Sequence, residues 1–303
     1  MNSTENIQER EIKKVEQNKY LLPTSFLVSA ALIAGAFIYS SGLKAKETTN
    51  NHNSNIQTNA PVESFNAREE VAPPQGVELP VKWDNLGKQL VDAGVIDFEQ
   101  LEKIYNKRGG LSEEDKKLVY GTDNSNLIIT TKNSGLILNL LWALGLANKN
   151  EILEKGPMQN YGDAGSFAST GGWTLSKGDS MGHYSRHNFI ILTKEQQGLV
   201  GRVAKNIYRP CCDNSTYFPD CNHGMAMLGF LELMASQGVG ESDMYRAALI
   251  LNSYWFPDNY AMIAKYFKQQ GVAWDKVDVK QVLGEEFSSG SGYQNIVSKI
   301  TEP

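Results

Sequence analysis

The chain has 303 residues, 41% of them hydrophobic and 21% charged, with 29 Lys and Arg against 34 Asp and Glu for a net charge of −5. That mild acidity comes with no basic stripe and no phosphate-cradling glycine loop. It sets nucleic acid aside as a partner, because backbone binding needs clustered cations.

The first element is apolar. "YLLPTSFLVSAALIAGAFIYSSGL", residues 20–43, carries no charge. A helix over 21–43 reaches ~34 Å, enough to cross a hydrocarbon core of ~30 Å. Pro23 falls in its first turn, where proline is tolerated. Arg10, Lys13, Lys14 and Lys19 precede it, and only Lys44 and Lys46 closely follow. The positive-inside rule then predicts a cytoplasmic tail over 1–20, a single-pass anchor over 21–43 and an extracytoplasmic remainder, with the membrane as a partner. A cleaved signal peptide, cut at "SSG" (residues 40–42), is the alternative. The long polar lead and the length of the apolar run favour an uncleaved signal-anchor.

Residues 44–80 are rich in Asn, Thr, Ser, Gln and Pro, with few large apolar side chains. Such a stretch cannot bury enough surface to offset its ordering entropy, so it reads as a disordered linker with His52 as a solvated residue.

Residues 81–303 suffice for one domain with a substantial core, or two small ones. The start signals are helical: Asp97 with Gln100, Ser112 with acids in the following turn, and Thr193 with Gln196. "ESDMYRAALILNSYW" has helical apolar spacing, "DNYAMIAKYFKQQG" stops at Gly271, and "SGLILNLLWALGLANKN" (134–150) reads as a buried central helix too short to span a bilayer. Strand signals are confined to "NLIITT" (126–131) and "HNFIIL" (187–192). The predicted class is mainly α, a helical globular domain with at most a small sheet, behind an N-terminal transmembrane helix. The glycine-rich stretch 156–182 reads as a functional surface loop or a lid.

"RPCCDNSTYFPDCNHGM" (209–225) holds all three cysteines and one of the four histidines. Cys221 and His223 can offer two ligands from one turn, and a helix is predicted to follow, whose N-terminal dipole favours thiolates. Cys211, Cys212, Cys221 and His223 make a Cys3His set, although not at zinc-finger spacing. "MGHYSRH" adds Met181, His183 and His187, and "HGMAM" adds Met225 and Met227. Thiolate, imidazole and thioether together suit copper(I) better than a hard cation, and the expected ion is zinc or copper. His183 and His187 are reserve ligands.

Two other readings stay open. Cys211 or Cys212 could pair with Cys221 in a structural disulfide, leaving one thiol over. Alternatively, Cys221 could be a nucleophile with His187 or His183 as its base, in a cell-envelope hydrolase or thiol oxidoreductase. No G-x-S-x-G elbow surrounds Ser166 or Ser169. Asp163 and Asp179 are the better-placed acid/base candidates, and the pairs Glu113/Glu114 and Glu285/Glu286 read as solvated helix faces.

The stretch "PDCNHG" superficially resembles the catalytic-cysteine helix of NlpC-type cell-wall peptidases. Those enzymes use a histidine well downstream, and none follows His223 here. The run P-C-C…D-C-x-H-G behind an anchor and tether resembles uncharacterised membrane-anchored bacterial proteins. Over residues 210–223 it is similar to PCYCGCG-motif lipoproteins, with CC in place of C-Y-C-G-C and no lipid-bearing cysteine. That resemblance implies a metal or redox role outside the cytoplasm.

Overall fold

The computed structural model describes residues 66–300. The expected tail and anchor lie outside these residues, and among those described no helix is long and apolar enough to cross a membrane.

The architecture is mainly helical with one two-stranded sheet. Folded structure begins before residue 81: α1 (Ala67–Val71) and β1 (Val77–Asp84) occupy the end of the stretch read as linker. In β1 the sequence VELPVKWD alternates, so that Leu79, Val81 and Trp83 are buried and the residues between them face out. Trp83 donates from Nε1 to the Leu118 carbonyl at 2.7 Å, and the Gln237 side chain bonds both the N–H and the C=O of Lys82 at 2.8 Å. After α2 (Leu86–Asp92), α3 (Phe98–Asn106) and α4 (Glu113–Tyr120), β2 (Asn124–Ile129) pairs antiparallel with β1. The register shifts between Glu78 and Lys82, around Pro80, a residue with no N–H to give to a ladder.

The expected caps form. Asp97 accepts N–H bonds from Glu99 and Gln100, and Ser112 with Asp115 and Thr193 with Gln196 close capping boxes. Each satisfies N–H groups that a helix start leaves without partners.

The centre is a pair of helices, α5 (Ser134–Ala147) and α8 (Asn222–Ser236), both buried along most of their length. Two glycines bring them together. A Cβ on Gly145 would stand 2.0 Å from the Met225 carbonyl oxygen, and one on Gly229 would stand 2.5 Å from that of Leu141. α6 (Glu151–Lys155) and α7 (Lys194–Ala204) lie between them in sequence; α9 (Glu241–Trp255), α10 (Pro257–Gln269), α11 (Val279–Leu283), α12 (Glu285–Ser288) and α13 (Gly290–Val297) follow within the described residues.

The second expected strand does not form. Residues 187–192 make one bridge, His187 with Asn148, and the Asn148 side chain takes the Ile190 N–H at 2.9 Å. Ile190 is buried while Ile191 is 80% exposed. The apolar run follows the core without a partner strand.

Candidate metal centre

The loop 209–221 folds around its own first residue. Arg209 is 1% exposed, and its guanidinium donates in four directions. Nε donates to Cys221 Sγ at 3.1 Å and Nη1 to the Asn214 carbonyl at 2.8 Å. Nη2 donates to Asp220 Oδ1 at 3.0 Å and to the Phe218 carbonyl at 3.3 Å. Asn214 Nδ2 closes the ring by donating to Asp220 Oδ2 at 2.8 Å. A planar fork of fixed donors can hold a turning backbone in this way, whereas a lysine ammonium cannot. The segment's other contacts come from three sides. Gly290 N–H donates to the Cys212 carbonyl at 2.9 Å, and Ser291 N–H to Asp213 Oδ1 at 2.7 Å. Ser169 N–H donates to the Asp220 carbonyl at 3.1 Å, and Phe218 stands edge-on to Tyr161 and Phe167.

The glycine-rich stretch is therefore a wall of this loop rather than a free lid. Trp173 is buried, donates to the Val95 carbonyl at 2.9 Å and meets Trp142 edge-on. Asp163 and Asp179, expected as acid/base candidates, cap short turns by accepting from Gly165 and Met181 N–H.

Cys221 is the N-cap of α8. Its Sγ accepts the Gly224 N–H at 3.4 Å and lies 3.5 Å from Cys211 Sγ and 3.9 Å from Cys212 Sγ. All three thiols are free. Two thiolates on one tetrahedral ion, at metal–sulfur bonds of ~2.3 Å, sit about 3.8 Å apart, so the observed separations bracket that spacing. The ligand atoms of Cys211, Cys221 and His223 lie within 4.8 Å of one another, and those of Cys212, Asp220 and Cys221 do likewise. Cys221 belongs to both groups.

His223 is in the first turn of α8, with its ring against Phe256 (centres 4.4 Å apart) and Trp255 (5.7 Å). Its Nδ1 is buried and has no hydrogen-bond partner. A buried polar nitrogen left so is uncommon, and on a residue grouped with two thiols it has the character of an unfilled ligand.

The proton affinities diverge across the trio. Hydrogen bonds from Cys211 and then Cys212 hold the Cys221 thiol far below its ordinary pKa, with burial opposing and a hydrogen bond with the His223 ring and then the Arg209 charge assisting. Cys211 is pushed up, first by its hydrogen bond with Cys212 and then by that with Cys221. Cys212 also rises: its bond with Cys211 pulls down, but Cys221 and burial outweigh it. The thiolate form is thus favoured on Cys221 and the protonated form on Cys211 and Cys212.

His183 and His187 are not brought to the thiols. His187 lies by Lys149, whose N–H it accepts at 2.7 Å, and Asn148 and Asn150 bond Glu232, far along α8 from His223. Nine residues of helix separate Glu232 from His223 (~14 Å of rise). His183 Nδ1 and His187 Nε2 are 3.1 Å apart in rings inclined by only 20° with centres at 5.3 Å. The centres are farther apart than the nitrogens by about one ring width, so the rings meet edge to edge through a shared proton. Neither His183 nor His187 belongs to the two groups of ligand atoms that the structure brings together at this loop. Met225 and Met227 are fully buried in the hydrophobic core. Sequence reasoning missed Arg209; its position two residues before Cys211 was the one available signal.

No family model, curated protein or solved structure matches this chain.

Proposed function

We propose that the chain is a membrane-anchored extracytoplasmic protein that holds a soft transition metal, zinc or copper, at Cys211, Cys212, Cys221 and His223, for metal binding, carriage or redox sensing. The observation that carries this reading is the unpartnered His223 Nδ1 on a residue grouped with the free thiols of Cys211 and Cys221, with Cys212 Sγ 3.9 Å from Cys221 Sγ. The donor set selects against hard cations. The one carboxylate in the group, Asp220, has its oxygens engaged by Arg209 and Asn214, and sulfur with imidazole suits zinc or copper. Arg209 offsets the negative charge that several thiolates leave on either ion. Placement outside the cytoplasm is supported by the uncharged run at 20–43 and the cations that precede it.

The test is metal content and free-thiol count on the full chain, purified anaerobically without added metal. Near-stoichiometric zinc or copper, with thiols that become reactive only after chelation or unfolding, is the expected result. Absence of bound metal after titration with zinc and copper(I) sinks the reading.

A further inference from the structure

We infer that Cys211 and Cys221 are also a reversible redox pair that donates a disulfide to dithiols. This goes beyond metal binding and needs no ion, although it uses two of the same sulfurs. Three observations select the pair and its polarity. The two sulfurs are 3.5 Å apart, closer than the 3.9 Å between Cys212 and Cys221, and closure to about 2.05 Å makes a bond. Cys211 is exposed and Cys221 is recessed, so an incoming thiolate reaches Cys211 first. Cys221 Sγ accepts N–H bonds from Arg209 and from Gly224 at the start of α8. Those donors stabilise the charge that arrives on sulfur when it leaves.

The steps balance. Oxidation joins Cys211 Sγ to Cys221 Sγ; two electrons and two protons pass to a low-molecular-weight disulfide, which becomes two thiols. In donation, one thiolate of a dithiol attacks Cys211 Sγ. The protein's S–S bond breaks, and its electron pair goes to Cys221 Sγ, held by the Arg209 and Gly224 N–H groups. The dithiol's second thiolate then attacks its own sulfur in the mixed disulfide and expels Cys211 as a thiolate, which takes up a proton. The partner leaves with a new disulfide and the protein as a dithiol. Stabilising the leaving sulfur favours the reduced pair, which makes the disulfide an oxidant rather than a structural staple. A bound metal occupies both sulfurs, so metal loading and disulfide donation exclude each other.

The experiment equilibrates the full chain, stripped of metal by a chelator and kept under it, against graded ratios of glutathione and its disulfide. Alkylation and peptide mass spectrometry read each cysteine. Expected are one Cys211–Cys221 bond with Cys212 alkylatable, and a glutathione adduct that accumulates on Cys211 in Cys221→Ser. Arg209→Lys should shift the equilibrium at least tenfold toward the disulfide. A bond from Cys212 to either neighbour overturns the proposal, as does an equilibrium constant that moves less than twofold in Arg209→Lys. The mapping on the unaltered chain decides the pairing even if the arginine variant does not fold. Because no metal is present, a failed metal reading leaves this outcome unaffected, and the converse also holds.

Discussion

Gly224 leaves the space that the Arg209 guanidinium fills: a Cβ at this position would stand 2.4 Å from Nη2 and 2.5 Å from Cζ. The arginine is buried and cannot swing into solvent, so Gly224→Ala must displace either the guanidinium or the first turn of α8. Leaving a buried charge poorly paired costs ~3–5 kcal/mol. The expected outcome is a loss of that order in denaturant unfolding, with faster alkylation of all three thiols in whatever remains folded. Unchanged stability and thiol reactivity would show that the guanidinium does not lie against this turn.

Asp220 is a positioning residue. It orients Arg209 and Asn214 through its two oxygens, and the arginine in turn holds Cys221. Supporting residues of this kind are worth about 10–100-fold in metal affinity. Asp220→Asn should weaken zinc or copper(I) binding in that range while keeping stoichiometry. Competition against a chelator of known affinity measures it. Loss of stoichiometry would instead make Asp220 a direct ligand.

Glu232 is fully buried on α8 between two amides: Asn148 Nδ2 donates to one oxygen at 2.5 Å and Asn150 Nδ2 to the other at 2.7 Å. Each amide is turned this way by its own oxygen, which accepts the N–H of Ile190 or Ile152. Burial raises the carboxyl pKa well above 4.5, with the two amides pulling down. The folded state therefore favours the protonated acid. The stability this contributes is full below the unfolded value and drains as pH rises toward the raised folded value, at up to about 1.4 kcal/mol per pH unit. Glu232→Gln brings a third NH2 against two donors and costs ~1–3 kcal/mol in acid. The gap between the two proteins should narrow from pH 4.5 to 7.5 in urea unfolding. A gap that widens would mean that the carboxylate is ionised in the fold.

The readable parts of this chain were those with local causes. Asp97, Ser112 and Thr193 each announce a helix because a side-chain acceptor must sit before the first free N–H groups. The buried central helix was legible from an apolar run with no polar face. β1 was overlooked although Val77, Leu79, Val81 and Trp83 alternate, because Pro80 interrupts the run and a polar tract precedes it. The run 187–192 looked like a strand, yet strand formation requires a partner edge, which no local pattern supplies. At the site, the cysteines and His223 could be gathered by nearness in sequence. Arg209 at the hub of the loop could not be read as buried, since arginine is ordinarily a surface residue. The separation of His183 and His187 from the thiols depends on the path of α8 and on Asn148 and Asn150, which are tertiary facts.

That separation yields the last test. Burial first, then the positive charges of His183 and Arg186, lower the His187 pKa below 6.5. Its neutral form is favoured in the fold, so the stability it contributes is present above the unfolded value and is lost as pH falls through the folded one. Imidazole resonances should show His187 titrating below 6.5, and His187→Gln should flatten the acid side of the stability profile. The same variant should bind zinc or copper(I) with unaltered stoichiometry, because its ring faces His183 and not the thiols. His223→Gln should instead lose the imidazole ligand and weaken metal binding at least tenfold. Equal metal losses in the two variants would place the histidine pair at the thiol site after all, and unaltered binding in His223→Gln would overturn the assignment of His223 as the imidazole ligand.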